Sequence, residues 1–182
     1  MIKYSEIEKI MPNGSYEINV GLKHIDRWLD EMEEDYGLEL NPDFQRGNVW
    51  TEEQQIAYVE FLLRGGKTAN VIYFNCPTFS FGSCERIKNY DNMPMQCLDG
   101  LQRLTAIRKF IHGRLPIFNG NYIDDFEDKD ILLRNTDVIK FNVNNMQTKK
   151  DVLNWYITYN SGGTIHSQDE IERVKKLLEE CK

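Results

Sequence analysis

Apolar residues recur along this chain with two different periods, and these periods predict both strands and helices. Residues 16–21 alternate between apolar and polar positions, as in a half-buried strand, and the unbroken apolar run within 69–75 predicts a fully buried strand. Residues 23–36 and 101–112 instead place apolar side chains at helical spacing, and each segment is followed by a glycine that can end a helix. The chain therefore combines strands with helices.

Local signals for helix starts extend this prediction. Thr51 and the two acids after it predict the beginning of a helix over 52–64. Thr148 and Asp151 have the spacing of a capping box, which predicts a helix to about residue 159. Both helices end at a pair of glycines, so their boundaries are marked on each side.

A hairpin, a strand and a last helix complete the predicted elements. The segment RLPIFNGNYI has Asn119-Gly120 at a hairpin turn, and DVIKFNVNNM has the composition of a strand. Ser167 and Glu170 predict the cap of a helix that continues to the C-terminus. The resulting fold is α/β (α+β), a small mixed sheet with surrounding helices, in a single domain over residues 1–182.

Composition and charge narrow the class of protein. With 182 residues, 41% apolar and 12% aromatic, the chain is typical of one folded globular domain. Its formal net charge of −7 disfavours extensive wrapping of DNA, although a local basic pocket remains compatible with it. The apolar runs are too short to span a bilayer, and the first residues lack the apolar core of a signal peptide. We therefore expect a cytoplasmic protein with no membrane partner.

Cysteine and histidine spacing supports neither a zinc site nor a thioredoxin-type motif. None of the four cysteines forms a C-x-x-C pair, and the three histidines lie in different segments. We expect reduced thiols and surface or capping histidines. The acidic residues within 30–35 are interpreted as a solvated helix face rather than a metal site.

The stretch QCLDGLQRLTAI, residues 96–107, places polar side chains where a strand is predicted to turn into a helix. A helix N-terminus offers unpaired N–H groups, so Gly100 would let a phosphate approach the backbone and Arg103 could bind it with two hydrogen bonds. Asp99 has two interpretations: a helix N-cap, or a carboxylate that holds Mg²⁺ or orients a water or hydroxyl. Periodicity alone favours the cap, and the alternative stays open.

Two further polar clusters contain candidate binding residues. In FQRGNVW, residues 44–50, apolar neighbours favour an inward-facing Arg46 with an anionic partner, although a surface arginine is also compatible. In YNSGGT, residues 159–164, Asn160 precedes two glycines, and a helix end followed by a turn explains this pattern equally well.

In this order, the three clusters resemble a known family. The matching segments are NPDFQRGNVWTEEQQIAYVEFLLRGGKTANVIYF, LDGLQRLTAIRKFIHGRL and YITYNSGGTIHSQDEI. The chain resembles the ParB/sulfiredoxin-like superfamily, in the branch with a D-G-Q-Q-R motif that supplies the N-terminal domain of GmrSD-type restriction enzymes. The resemblance covers residues 41 to about 171, with a signature region at 41–113 and a C-terminal helical part at 148–182.

The resemblance implies a nucleotide-binding domain that uses an NTP, ATP or GTP, with Mg²⁺. It assigns Asp99 to the metal or the nucleophile, Gln102 to an attacking water, and Arg103 with Arg46 to the phosphate oxygens. The remaining residues of the implied pocket are Gln45, Gly100, Asn160 and Gly162.

Departures from the family pattern limit this prediction. Leu101 replaces the first glutamine of the motif, and the chain stops where related restriction enzymes continue into an H-N-H nuclease domain. A separate nuclease or DNA-modification protein is therefore an expected partner, and any DNA contact should be limited. FGSCER, residues 81–86, has a superficial likeness to a sulfiredoxin motif at Cys84, but the strand–helix corner is already occupied by DGLQR.

Three functions follow from the resemblance. The favoured one is an NTP-hydrolysing domain of a DNA defence or DNA-modification system. The second is an ATP-dependent phosphotransferase that acts on a small molecule or a modified nucleobase, and the third is a non-catalytic module that binds a nucleotide or modified DNA. The presence of Asp99 favours chemistry over binding alone.

Overall fold

The computed structural model describes residues 16–45, 47, 49–79, 93–135, 139–161 and 168–181. These residues form a four-stranded mixed sheet with six α-helices, which confirms the predicted α+β class. The elements in chain order are β1 (Tyr16–Val20), α1 (Ile25–Tyr36), α2 (Glu52–Leu63), β2 (Val71–Asn75), β3 (Gln96–Asp99), α3 (Leu101–Ile111), α4 (Lys129–Asn135), β4 (Ile139–Asn144), α5 (Lys149–Ser161) and α6 (Gln168–Glu180).

The sheet has the strand order β1-β4-β2-β3. β4 pairs antiparallel with β1 and parallel with β2, and β2 pairs antiparallel with β3. The chain therefore reaches the helix α3 directly from the outer strand β3, and it returns to the middle of the sheet only at β4.

The two faces of the sheet differ in polarity because side chains alternate along each strand. One face is apolar and packs in a large core with α1, α2 and α3; its sheet residues include Ile72, Phe74, Cys97, Phe141 and Val143. The other face carries Tyr73 and Leu98, which belong to a second cluster with side chains of α5 and α6. The same face also carries buried amide side chains of β2, β3 and β4.

The helix boundaries largely confirm the capping predictions. The Gln54 N–H donates to the Thr51 hydroxyl oxygen at 3.3 Å and the Thr51 N–H donates to the Gln54 side chain at 2.9 Å, which forms a capping box. At α5 the Asp151 N–H donates to the Thr148 oxygen at 3.1 Å. α1 ends at Gly37, whose left-handed backbone (φ 63°) closes the helix.

Two described regions differ from the prediction, and the predicted cap residue Ser167 lies outside the described residues. The hairpin predicted in RLPIFNGNYI is reduced to one bridge between Ile117 and Asn121, because Phe118, Asn119 and Gly120 all adopt positive φ and leave too little chain for strands. α4 was not predicted, since its seven residues are too few for a helical period to stand out. Among the helices described, none combines the length and hydropathy needed to cross a bilayer.

Candidate functional site

The candidate site lies at the corner where β3 ends at Asp99 and α3 begins at Leu101. Gly100 is the N-cap residue of α3, with φ 104°, and no described side chain caps this helix. The interpretation of Asp99 as the N-cap is therefore wrong. The left-handed glycine inserts one residue before the helix, and the Asp99 carboxylate forms an ion pair with Arg103 instead.

Arg103 is fixed by three hydrogen bonds. Its guanidinium binds the Asp99 carboxylate and donates to two backbone carbonyls before and within β2, those of Ala69 at 3.0 Å and Val71 at 2.9 Å. Its side chain is 12% exposed and that of Asp99 is 23% exposed. The pair is therefore mostly buried, and the contacts of Arg103 join α3 to β2.

Gly100 is required by close packing as well as by its backbone conformation. A Cβ atom at this position would lie 2.6 Å from Ile72 Cδ1 and 3.3 Å from Ile72 Cα, well inside van der Waals contact. Its φ of 104° is also a conformation that residues with a Cβ rarely adopt. The corner can therefore approach β2 this closely only with glycine at position 100.

Gln102 attaches the preceding loop to the corner. Its side-chain oxygen accepts the N–H groups of Val49 at 2.9 Å and Trp50 at 3.0 Å, and its nitrogen donates to the carbonyl of Gly47. Gln45 adds a second attachment, since its amide donates to the carbonyl of Cys97 in β3. The two glutamines therefore bring the segment around residue 47 against the β3–α3 corner.

Replacing Gln102 by leucine should loosen this segment. The substitution keeps the side-chain size but leaves the Val49 and Trp50 N–H groups without their acceptor, so we expect a loss of about 1–3 kcal/mol in unfolding free energy. Hydrogen exchange at these two amides should accelerate. Gln147→Leu, which removes exposed amide contacts elsewhere, is the control, and equal losses in both variants would contradict the anchoring role.

Tyrosines that were not among the predicted site residues lie close to the charged pair. The Tyr58 hydroxyl donates at 3.1 Å to the Ala69 carbonyl that also accepts from Arg103, and burial raises the pKa of Tyr58 to about 12, with Arg103 opposing the shift. Burial also raises the pKa of Tyr159, helped by a hydrogen bond with Tyr73 and the nearby Asp99 charge.

These tyrosines join the corner to α5. Tyr73 pairs with Asp99 across the strands, and its ring lies 5.0 Å from that of Tyr159. Tyr159 in turn stacks on Trp155 with centroids 4.6 Å apart. Residues 155 and 159 are one helical turn apart, which is the one sequence pattern that could have indicated this cluster.

The remaining predicted site residues lie around or beyond this cluster. Asn160, next to Tyr159, is buried, and its amide donates to the Tyr156 carbonyl at 2.8 Å. Arg46 and Gly162 lie outside the described residues, as does Cys84. Cys97, beneath the corner, is buried, which raises its thiol pKa to about 12. Among the described cysteines, Cys76, Cys97 and Cys181 are free thiols.

The corner offers one carboxylate to a metal ion. Within the described ranges, no group of three or more His, Cys, Asp and Glu side chains could hold one. Mg²⁺ is commonly bound by one or two carboxylates together with substrate phosphates rather than by an all-protein cage. Asp99 therefore fits an ion that arrives with a nucleotide.

Comparison with known proteins identifies the family. A family model described as the N-terminal domain of GmrSD restriction endonuclease matches residues 25–134, which contain α1, α2, α3, the whole β3–α3 corner and all but the last residue of α4. Curated proteins and solved structures gave no match, so the ParB/sulfiredoxin-like fold itself stays a prediction. Because this family model matches more than half of the sequence, the chain belongs to the family of GmrSD restriction endonuclease N-terminal domains.

Proposed function

We propose that this chain is a nucleotide-binding, NTP-hydrolysing domain of a DNA restriction system, with its phosphate site at the β3–α3 corner. Membership of the family associates the chain with DNA restriction, in defence or DNA modification. The nucleotide proposal is carried by one observation: α3 begins without a capping side chain among the described residues and has Arg103 in its first turn.

The start of α3 supports phosphate binding by backbone and side chain together. The first N–H groups of an α-helix have no partner within the helix, and the helix dipole adds partial positive charge there. In α3 these N–H groups belong to Leu101, Gln102 and Arg103. The Arg103 guanidinium is already oriented by its three protein contacts, so phosphate binding would cost little side-chain entropy.

Asp99 supports hydrolysis over binding alone. Its Oδ2 atom accepts from Arg103, so its other oxygen is the atom we assign to the substrate's Mg²⁺ or to the attacking water. Mg²⁺, when bound with the nucleotide, would neutralise phosphate charge. Gln102 is engaged at both ends of its amide, so we assign it to holding the segment around residue 47 beside the phosphates. Gln45, Arg46, Asn160 and Gly162 complete the proposed pocket.

Phosphate release by the purified chain tests this function. With each NTP and Mg²⁺, we expect Asp99→Asn to lower turnover about 100-fold or more, because the amide keeps the shape but cannot act as a base or bind the metal strongly. Asp26→Asn is the matched control, since Asp26 also pairs with an arginine of α3, Arg108, at 2.7 Å. It should leave turnover within about twofold, because this partly exposed pair lies more than one helical turn beyond Arg103 along α3, away from the corner.

Separate measurement of nucleotide consumption and phosphate release distinguishes the alternatives. Consumption without released phosphate would indicate transfer to an acceptor, and saturable binding without consumption would indicate a binding module. Turnover that is equally reduced in Asp99→Asn and Asp26→Asn would contradict the assignment of the corner as the active site.

A further inference from the structure

A row of amide side chains lies on the second face of the sheet, on the strands beside the corner. The strand register places Asn144 of β4 next to Asn75 of β2, and Asn75 next to Gln96 of β3. One row further along, Asn142 lies next to Tyr73, which in turn pairs with Asp99. We call the residues Tyr73, Asn75, Gln96, Asn142 and Asn144 the polar face.

Three of these amides are buried without full hydrogen bonding. Gln96, Asn142 and Asn144 are 8%, 7% and 1% exposed. Within the described part of the chain, no partner exists for Gln96 Oε1, Asn142 Oδ1 or either polar atom of Asn144. Gln96 uses only its nitrogen, which donates to Glu39 at 2.8 Å.

Asn75 shows that this face can satisfy an amide completely. Its nitrogen donates to the Met146 carbonyl at 3.1 Å, and its oxygen accepts the Met146 N–H at 2.7 Å. Buried polar side chains in proteins are nearly always hydrogen-bonded, and unsatisfied ones are unfavourable for stability. Residues that lower stability are typical of binding sites, where the ligand supplies the missing partner.

The unpartnered atoms define the chemistry of that ligand. Three are acceptors, the oxygens of Gln96, Asn142 and Asn144, and one is a donor, the nitrogen of Asn144. A ring with an exocyclic amino group beside a ring nitrogen offers the complementary donors and acceptor. Adenine, cytosine and guanine have such an amino group beside a ring nitrogen, whereas uracil has no amino group.

The polar face lies within reach of the base of a nucleotide whose phosphates bind at the β3–α3 corner. β4 is two strands away from β3, so Asn142 and Asp99 lie roughly 10 Å apart at the usual spacing of about 4.8 Å between strands. An extended nucleotide can bridge that distance. From these contacts we infer that the polar face binds the amino-bearing base of the nucleotide whose phosphates meet α3, an inference that rests on the proposed function.

Entry of a base requires movement of α5. Tyr73 on the polar face contacts Trp155 and Tyr159 of α5, with ring centroids 5.5 and 5.0 Å apart. Because Tyr73 itself belongs to the polar face, these contacts pack α5 against that face in the described arrangement. Displacement of α5 would expose the polar face, so binding should change hydrogen exchange in residues 149–161.

Asn144→Leu tests the inference by calorimetric titration with ATP, CTP and UTP in the presence of Mg²⁺. We expect the wild type to bind ATP or CTP more tightly than UTP. Asn144→Leu should lower the affinity for the preferred nucleotide at least about tenfold. Its melting temperature should stay equal or rise, because an unpartnered amide is removed. Asn75→Leu is the control: it should lower the melting temperature, because the Asn75 amide is hydrogen-bonded at both ends. If Asn144→Leu does not fold, Asn142→Leu takes its place.

The outcomes separate this inference from the proposed function. Equal binding of all three NTPs, unchanged in Asn144→Leu, would overturn base recognition while leaving the phosphate site intact. A lower melting temperature in Asn144→Leu with unchanged affinity would also overturn it, since the amide would then be structural. Binding of adenosine or cytidine through Asn144 without any contribution from Arg103 would support the polar face and contradict the phosphate site. If no nucleoside or nucleotide binds, both are overturned.

Discussion

Arg103→Ala should weaken nucleotide affinity at least about tenfold, because a charge-assisted hydrogen bond to phosphate contributes about 1.5–3 kcal/mol. The same substitution should lower the unfolding free energy by about 2–4 kcal/mol, since it leaves the half-buried Asp99 carboxylate unpaired and frees two backbone carbonyls. Both effects originate in the same guanidinium, which joins α3 to β2 through Ala69 and Val71. Titration calorimetry at a temperature where the variant is folded measures the first effect, and urea unfolding measures the second.

Arg108→Ala is the matched control for Arg103→Ala. Arg108 lies on the same helix and also pairs with an aspartate, but its side chain is 35% exposed. Its loss should change stability by less than about 1 kcal/mol and leave nucleotide affinity unchanged. Equal losses of affinity in the two variants would mean that the corner has no special role. Arg103→Lys should recover part of the affinity, because it restores the charge without the planar fork.

Gly100→Ala should destabilise the protein by about 2–5 kcal/mol, from a left-handed backbone at a residue with a Cβ and from overpacking. The new Cβ would meet Ile72 Cδ1 at 2.6 Å, so β2 or α3 would have to shift. Urea unfolding monitored by circular dichroism measures the loss.

Gly120→Ala separates the two causes. Gly120 also has positive φ, 96°, but no atom lies within 4 Å of its Cβ position. It should therefore cost only about 1 kcal/mol. Ile72→Val removes the Cδ1 atom and should restore part of the stability of Gly100→Ala. A Gly100→Ala variant no less stable than Gly120→Ala would contradict the packing account of the corner.

Elements with strong local signals could be predicted from the sequence. The helices over 23–36, 52–64 and 101–112 appear close to their predicted bounds, because apolar spacing and capping residues act within a few positions of one another. Thr51 and Thr148 fulfil their predicted capping roles for the same reason. The hairpin predicted around Asn119-Gly120 is reduced to a single bridge, because the prediction rested on the turn residues alone and the flanking segments are too short to pair as strands.

The composition of the site depends on tertiary contacts that no local pattern contains. Asp99 has the sequence position of a helix cap, and only the left-handed Gly100 turns its carboxylate to Arg103. Tyr73 and Tyr159 are 86 positions apart in the numbering of the chain and meet through the packing of α5 on the sheet. The neighbouring positions of the buried amides of the polar face depend on the strand register, which no local sequence pattern specifies.

The most direct test of a phosphate site at the corner is a nuclear magnetic resonance titration of the ¹⁵N-labelled chain with a non-hydrolysable ATP or GTP analogue and Mg²⁺. The proposed site predicts that the backbone amides of Leu101, Gln102 and Arg103 show the largest saturable shifts, and that Arg103→Ala raises the analogue concentration needed to saturate them at least about tenfold. Shifts confined to other parts of the chain, or none at millimolar analogue, would contradict a nucleotide site at the start of α3.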